Sequence, residues 1–155
     1  MNIRQMNETD VIGASLVHEA TFTRQQSSSK WIECNLKAYP RLLCYVAVEA
    51  KNIIGYIIWS QKSGFRKEAV VELEQIAVMP KYQCKGIGSS LIKRTLPEIK
   101  SVLNDNNSTL KHIIVTTRAD NHAQKLYKKI LGAEVEATIS ELYSADEVLM
   151  VARNV

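Results

Sequence analysis

The residues whose types and spacing suggest chemistry lie between 78 and 91, in the string VMPKYQCKGIGSSL. Gly86 and Gly88 stand where a run of strand formers passes into a helical pattern. The first N–H groups of a helix have no internal partner, and the helix dipole places about half a positive charge there. Phosphate oxygens meet both needs, and glycine omits the Cβ that would hold a phosphate off the main chain. Ser89 and Ser90 add hydroxyls, while Lys81, Lys85, Lys93 and Arg94 add positive charge. Two other phosphate motifs do not fit. The P-loop string G-x-x-x-x-G-K-[ST] is absent, and a dinucleotide fingerprint needs a third glycine where Leu91 stands.

Other reactive residue types form no constellation. His18, His112 and His122 are isolated and read as surface or structural residues. Cys34, Cys44 and Cys84 make no C-x-x-C pair, so no zinc spacing exists and no metal is expected. The thiols are expected to be reduced and mostly buried, and Cys84 to matter only through its backbone. Trp31, Trp59 and Phe22 read as core or groove wall. A net charge of +4 and a pI near 9.0 are too mild to argue for nucleic acid, and aromatics do not interleave with basic residues as on a nucleic-acid platform. The same mild field suits a polyanionic small ligand. No apolar run approaches the roughly 20 residues that span a bilayer, and the N-terminus has no signal-type apolar segment. A cytoplasmic protein with no membrane or nucleic-acid partner is expected.

The elements that must position this junction follow from periodicity. A chain of 155 residues, 46% hydrophobic and 23% charged, suits one globular domain over 1–155. Asn2–Met6 reads as an edge strand, and Thr9 or Asp10 as the cap of a first helix through Ala20. A second helix begins at Ser29 and closes at Pro40. Leu42–Ala50 and Ile53–Gln61 form a hairpin across Lys51-Asn52, and Ala69–Met79 is a further strand. The helix from Gly86 to Asn104 contains Pro97, which is expected to kink or split it. Lys111–Arg118 is a strand, Asn121–Leu131 a helix, and Ala133–Thr138 with Glu147–Arg153 a closing strand pair. The order βααβββαβαββ predicts an α/β (α+β) fold, with a mixed sheet of about seven strands and helices on both faces.

The string V78-x-P80-x-x-Q83-x-x-G86-x-G88 resembles the acetyl-CoA pyrophosphate signature, (Q/R)-x-x-G-x-(G/A), of the GNAT N-acetyltransferase superfamily. NHAQKLYKKILG, residues 121–132, is similar to the N-x-x-A-x-x-L-Y-x-x-x-G of that family's cofactor-side helix. The element order fits as well, so the resemblance spans essentially the whole chain. It implies a mostly antiparallel sheet splayed between strands 4 and 5. It also implies that the backbone amides of Cys84, Lys85, Gly86, Ile87, Gly88 and Ser89 bind pyrophosphate, with Gln83 opening the signature. The main chain of Ile76, Ala77 and Val78, on a bulged strand, would pair with the pantetheine arm.

The implied reaction is acetyl transfer from acetyl-CoA to a primary amine. An ammonium must first lose a proton, and the departing thiolate must gain one. Strand alternation puts Glu72 and Glu74 on one face with Ile76 and Val78, so Glu72, or else Glu74, is the expected base. A backbone N–H of Ala77 or Val78 could receive the developing oxyanion. Tyr127 matches the family's L-Y tyrosine and is the expected acid. The spacing departs from the family here: Asn121 precedes Tyr127 by six residues where seven is usual, and Gly132 follows by five where four is usual. Either Asp120 fills the asparagine slot, or Asn121 does and Lys128 takes the tyrosine's direction. Asn121 is accordingly a cofactor contact or a helix cap. The acceptor pocket would be built from Thr23–Lys30 and Ser140–Asp146. The acceptor itself, small molecule, protein N-terminus or lysine, is left open, as is a homodimer. The rival reading is an acyl-CoA-sensing module that keeps the cradle without turnover.

Overall fold

Along Glu68–Val78 every second residue is buried: Ala69, Val71, Leu73, Gln75 and Ala77. This is the period that a strand with one core face requires. A computed structural model describes all residues from Met1 to Val155. Its strands are β1 (Asn2–Gln5), β2 (Leu42–Glu49), β3 (Asn52–Gln61), β4 (Glu68–Val78), β5 (Thr109–Arg118), β6 (Glu134–Ile139) and β7 (Glu147–Arg153). The helices are α1 (Val11–Thr21), α2 (Ser28–Lys37), α3 (Ile87–Asp105) and α4 (Ala123–Leu131). The strands join in the order β1-β2-β3-β4-β5-β7-β6. β4 and β5 run parallel, while β1–β2, β5–β7 and β6–β7 are antiparallel. The parallel ladder covers Glu68 to Glu72 and ends there, although β4 continues to Val78. That is the splay expected between the fourth and fifth strands. A register shift falls between Ala69 and Val70, so the irregularity in β4 precedes the segment expected to meet pantetheine.

Two compact units make up the chain: Met1–Trp59 with Gln75–Pro97, and Ser60–Glu74 with Glu98–Val155. In the first, Ala14, Val17 and Ile32 of the α1–α2 pair cluster with Leu42, Cys44 and Val46 of β2 and with Tyr56, Ile58 and Ala77. Each large apolar side chain so buried contributes about 1.5–3 kcal/mol. The alternate face of β3 carries Trp59, whose indole N–H donates to Thr95 Oγ1 of α3 at 2.9 Å. Helices therefore cover both faces of this unit. At its edge Arg4 holds Asp10 through two hydrogen bonds of 2.6 and 2.8 Å.

Several expectations shift here. Neither Thr9 nor Asp10 caps α1 with its side chain. Asn7 instead caps a 3-10 turn, Glu8–Asp10, in a reciprocal capping box with Asp10, because a carboxylate three residues on can reach back to the cap's N–H. The β2–β3 turn is Ala50-Lys51, with φ of 47° and 67°, one residue earlier than expected. This is the left-handed pair that matches strand twist. α3 runs through Pro97 without splitting. Pro97 and Lys93 are both exposed, so water can take the Lys93 carbonyl that proline's missing N–H leaves unbonded.

In the second unit β5 lies between β4 and β7. Ile113 and Val115 of β5 are buried, as are Val148, Met150 and Ala152 of β7. Ser108 Oγ donates to the Arg66 carbonyl at 2.5 Å, and the Thr109 N–H donates to the Lys67 carbonyl at 2.7 Å. These bonds fix where β4 and β5 begin.

Candidate active site

In the first unit β4 ends at Val78, and Pro80–Tyr82 forms a 3-10 turn with proline at its start. Gln83 is exposed. Its amide donates to the Val78 carbonyl at 2.9 Å, bracing the loop against the strand end. Cys84 and Gly86 then take φ of 59° and 78°, which turns the chain sharply into α3. The first helical hydrogen bond is Ser90 N–H to the Gly86 carbonyl, 3.0 Å. The N–H groups of Ile87, Gly88 and Ser89 precede it and have no intrahelical acceptor. A Cβ built on Gly86 meets no atom within 4 Å, so there is open space beside this turn. Residues 83–86 are exposed. Lys81 and Lys85 sit over the Tyr82 ring, at 5.2 and 5.3 Å from its centroid. This is a cation-flanked turn at the start of a helix, a place where an anion could be held.

The same unit carries a polar network that the sequence reading missed. Gln75 Oε1 accepts from Trp31 Nε1 at 2.9 Å and from the Tyr56 hydroxyl at 2.6 Å. Gln75 Nε2 donates to Gln25 Oε1 at 3.3 Å. His18, fully buried, bridges Gln25 Oε1 and Ser28 Oγ, each at 2.8 Å. It is a satisfied structural histidine, as expected. Burial pushes the Tyr56 phenol far up, so it stays protonated. An amide at a core-facing position of β4, between Leu73 and Ala77, was the available signal.

The second unit holds the remaining candidates. Glu72 lies in an ion pair, Lys62 Nζ to Oε2 at 2.7 Å, and accepts from Thr116 Oγ1 at 3.4 Å. Glu74 is half-buried. Tyr127 is 5% exposed, and burial pushes its phenol up to about 12. Lys128, next along α4, is exposed and pairs with Glu134 at 3.1 Å, so the tyrosine, not the lysine, takes the inward direction. Asp120 is clamped by Arg118 at 3.0 Å to each oxygen. Asn121 Oδ1 accepts from the Ala123 N–H at 2.9 Å while its amide donates to Thr117 Oγ1 at 2.9 Å. Asn121 thus braces the start of α4 from the residue before its N-cap, His122. Of the cysteines, all free, only Cys44 is buried, and burial raises its thiol to about 12. Cys34 and Cys84 are exposed, contrary to the expectation of mostly buried thiols. Cys34 lies on the exposed side of α2, and Cys84 in the exposed turn before α3.

A family model described as the acetyltransferase (GNAT) family matches residues 14–133. The chain belongs to this family. Solved structures of similar fold include the ribosomal-protein-S18-alanine N-acetyltransferase of Escherichia coli, at 20% identity and a TM-score of 0.75, covering 99% of this chain and 93% of that one. An aminoglycoside 6'-N-acetyltransferase complexed with coenzyme A is 15% identical with a TM-score of 0.77, covering 100% and 98%. A spermidine N-acetyltransferase chimera from Vibrio cholerae and hSSAT is 21% identical with a TM-score of 0.76, covering 99% and 96%. At these identities the structures speak for the GNAT fold, not for an acceptor. No curated protein matches the sequence. No helix is long and apolar enough to cross a membrane, and no group of His, Cys, Asp or Glu could hold a metal.

Proposed function

We propose that this chain is an N-acetyltransferase that moves the acetyl group of acetyl-CoA directly to a primary amine. The observation that carries the reading is the Cys84–Gly86 turn, whose left-handed backbone opens onto the unbonded first-turn amides of α3. Backbone N–H groups from Cys84 to Ser89 would hold the diphosphate, each charge-assisted bond contributing about 1.5–3 kcal/mol. The main chain of Ile76, Ala77 and Val78, beyond the end of the β4–β5 ladder, would pair with the amide-rich pantetheine arm. Gln83, whose amide braces the loop through the Val78 carbonyl, would open this cradle.

In the reaction the amine lone pair forms the new C–N bond, the C–S bond breaks, and the thiolate leaves with the electron pair. One proton must leave nitrogen and one must reach sulfur. Glu72 is assigned as the base, with Glu74 second, and Lys62 and Thr116 keep the Glu72 carboxylate oriented. Tyr127 is assigned as the acid. Its burial keeps the hydroxyl protonated throughout the physiological range, so it is always able to donate to the departing sulfur. Asn121 acts by fixing the start of α4, and through it Tyr127. Three free cysteines suit a reducing, cytoplasmic setting.

A second reading, an acyl-CoA-sensing module, is favoured by the Lys62–Glu72 ion pair, which occupies the expected base. Calorimetry with coenzyme A, together with release of free thiol from acetyl-CoA over an amine panel, separates them. Binding with turnover supports the transferase, binding without turnover on any amine supports the sensor, and no binding overturns both.

A further inference from the structure

The network around Gln75 has a fixed sense. An indole N–H can only donate, so the Gln75 atom 2.9 Å from Trp31 Nε1 is the amide oxygen. The Gln75 NH2 group must then face Gln25, whose contacting atom is in turn its oxygen. His18 meets the same Gln25 oxygen, so its Nε2 carries the hydrogen. Gln75 Oε1 receives two donors and Gln25 Oε1 receives two, which fills the lone pairs of both amides. What remains is donors alone: both N–H bonds of the exposed Gln25 amide and the second N–H of Gln75. Buried partners hold these groups in place, so little side-chain entropy is lost when something binds them.

Their position matters as well. Gln75 immediately precedes Ile76, about 3.8 Å away along the chain, and Gln25 lies in the loop between α1 and α2. On the transferase reading above, this places N–H donors beside the reacting acetyl group on the acceptor's side. Such a surface receives oxygen lone pairs and repels a second ammonium. We infer that the acceptor is an α-amino compound, a peptide N-terminus or a free amino acid, whose neighbouring carbonyl or carboxylate oxygen is bound by the Gln25 and Gln75 amides. Arg24 in the same loop and Lys30 in the first turn of α2 add positive charge that favours such an acceptor over a polyamine.

The test compares kcat/KM for three amines with saturating acetyl-CoA: an alanine-initiated peptide with a blocked C-terminus, free L-alanine, and spermidine. The peptide or L-alanine should exceed spermidine by about tenfold or more, the scale of one hydrogen bond gained or lost. Whichever of the two is faster identifies the source of the oxygen. Gln25→Glu keeps both accepted bonds and replaces the outward NH2 by a second oxygen. It should lower kcat/KM for the α-amino substrate about tenfold or more, narrow its advantage over spermidine, and leave the KM for acetyl-CoA unchanged. An unchanged preference in the variant overturns the assignment, as does spermidine acetylated at least as fast as the peptide and L-alanine by the unmodified protein. Coenzyme A calorimetry on the same samples keeps the two levels apart. Loss of cofactor binding in the unmodified protein condemns the transferase reading itself, whereas binding with the wrong preference condemns only the acceptor.

Discussion

Gly55 faces the carbonyl oxygen of Ala77 so closely that a Cβ at residue 55 would lie 2.8 Å from it. Both the contacted atom and the residue's own backbone belong to strands, and neither can swing aside as a flexible side chain could. The Met79 N–H donates to the Ile54 carbonyl at 2.8 Å, tying the residue just past β4 to β3. Gly55 therefore sets how near the proposed pantetheine-pairing segment lies to its neighbour. Gly55→Ala should lower stability by about 1–3 kcal/mol through overpacking. It should also weaken coenzyme A binding, because Ala77 must shift. Denaturant midpoints and calorimetry check the two effects, and unchanged values of both would mean that β4 yields freely.

Gly86 poses the opposite case, a left-handed φ with open space beyond it. Gly86→Ala should cost about 1 kcal/mol from backbone strain alone, with cofactor affinity only moderately reduced. Gly86→Glu adds a carboxylate on the side assigned to phosphate and should abolish coenzyme A binding while the fold persists. Affinity equal to the unmodified protein in the glutamate variant would remove the cradle from this turn.

Tyr127→Phe should reduce kcat at least tenfold, the lower part of the range for a proton-transferring group, with the dissociation constant for coenzyme A unchanged. The hydroxyl titrates near 12 in the folded protein, raised by burial. No loss of rate from its ionisation is expected below about pH 11. The sign for folding follows: stability contributed by the protonated phenol is complete below pH 10 and is lost as pH rises toward 12. A pH–rate profile and alkaline unfolding test both statements.

Arg4 and Asp10 carry the acid limit of the first unit. The Arg4 side-chain hydrogen bonds are the chief reason that the Asp10 carboxyl titrates below the usual carboxylate range, with the Asn7 N–H assisting against desolvation. A depressed carboxylate stabilises the fold above the unfolded value of about 3.9, and that stability drains away as pH falls below it. Asp10→Asn should therefore lose about 1–3 kcal/mol at neutral pH and flatten the loss between pH 5 and 2. Urea titrations across that range read the difference directly.

The glycine turn before α3 was legible in the sequence because its requirement is local. A strand end, two glycines and a helix start occupy a dozen consecutive residues, and backbone amides need no distant partner. Tyr127 was harder, since the spacing of Asn121 and Gly132 left two helix registers open. Burial decides for Tyr127 because α4 has one apolar stripe to hide. Asn121 was ambiguous for a physical reason: an asparagine at a helix start satisfies the same geometry whether or not a cofactor is near. Pro97 does not split α3, since whether proline breaks a helix depends on the solvent access of the carbonyl four residues back. The Gln25–Gln75 bond could not be read at all. It joins residues fifty apart, and nothing in either neighbourhood specifies the other.

The indole of Trp31 has a reach beyond its own contact. Because it dictates the sense of each link through Gln75 and Gln25, no member can be inverted singly without setting two donors or two acceptors face to face. Drift in acceptor choice at this locus should thus be epistatic, with replacements at 25, 31 and 75 arriving in concert. A variant library randomised at those three positions would recover active clones chiefly as matched sets.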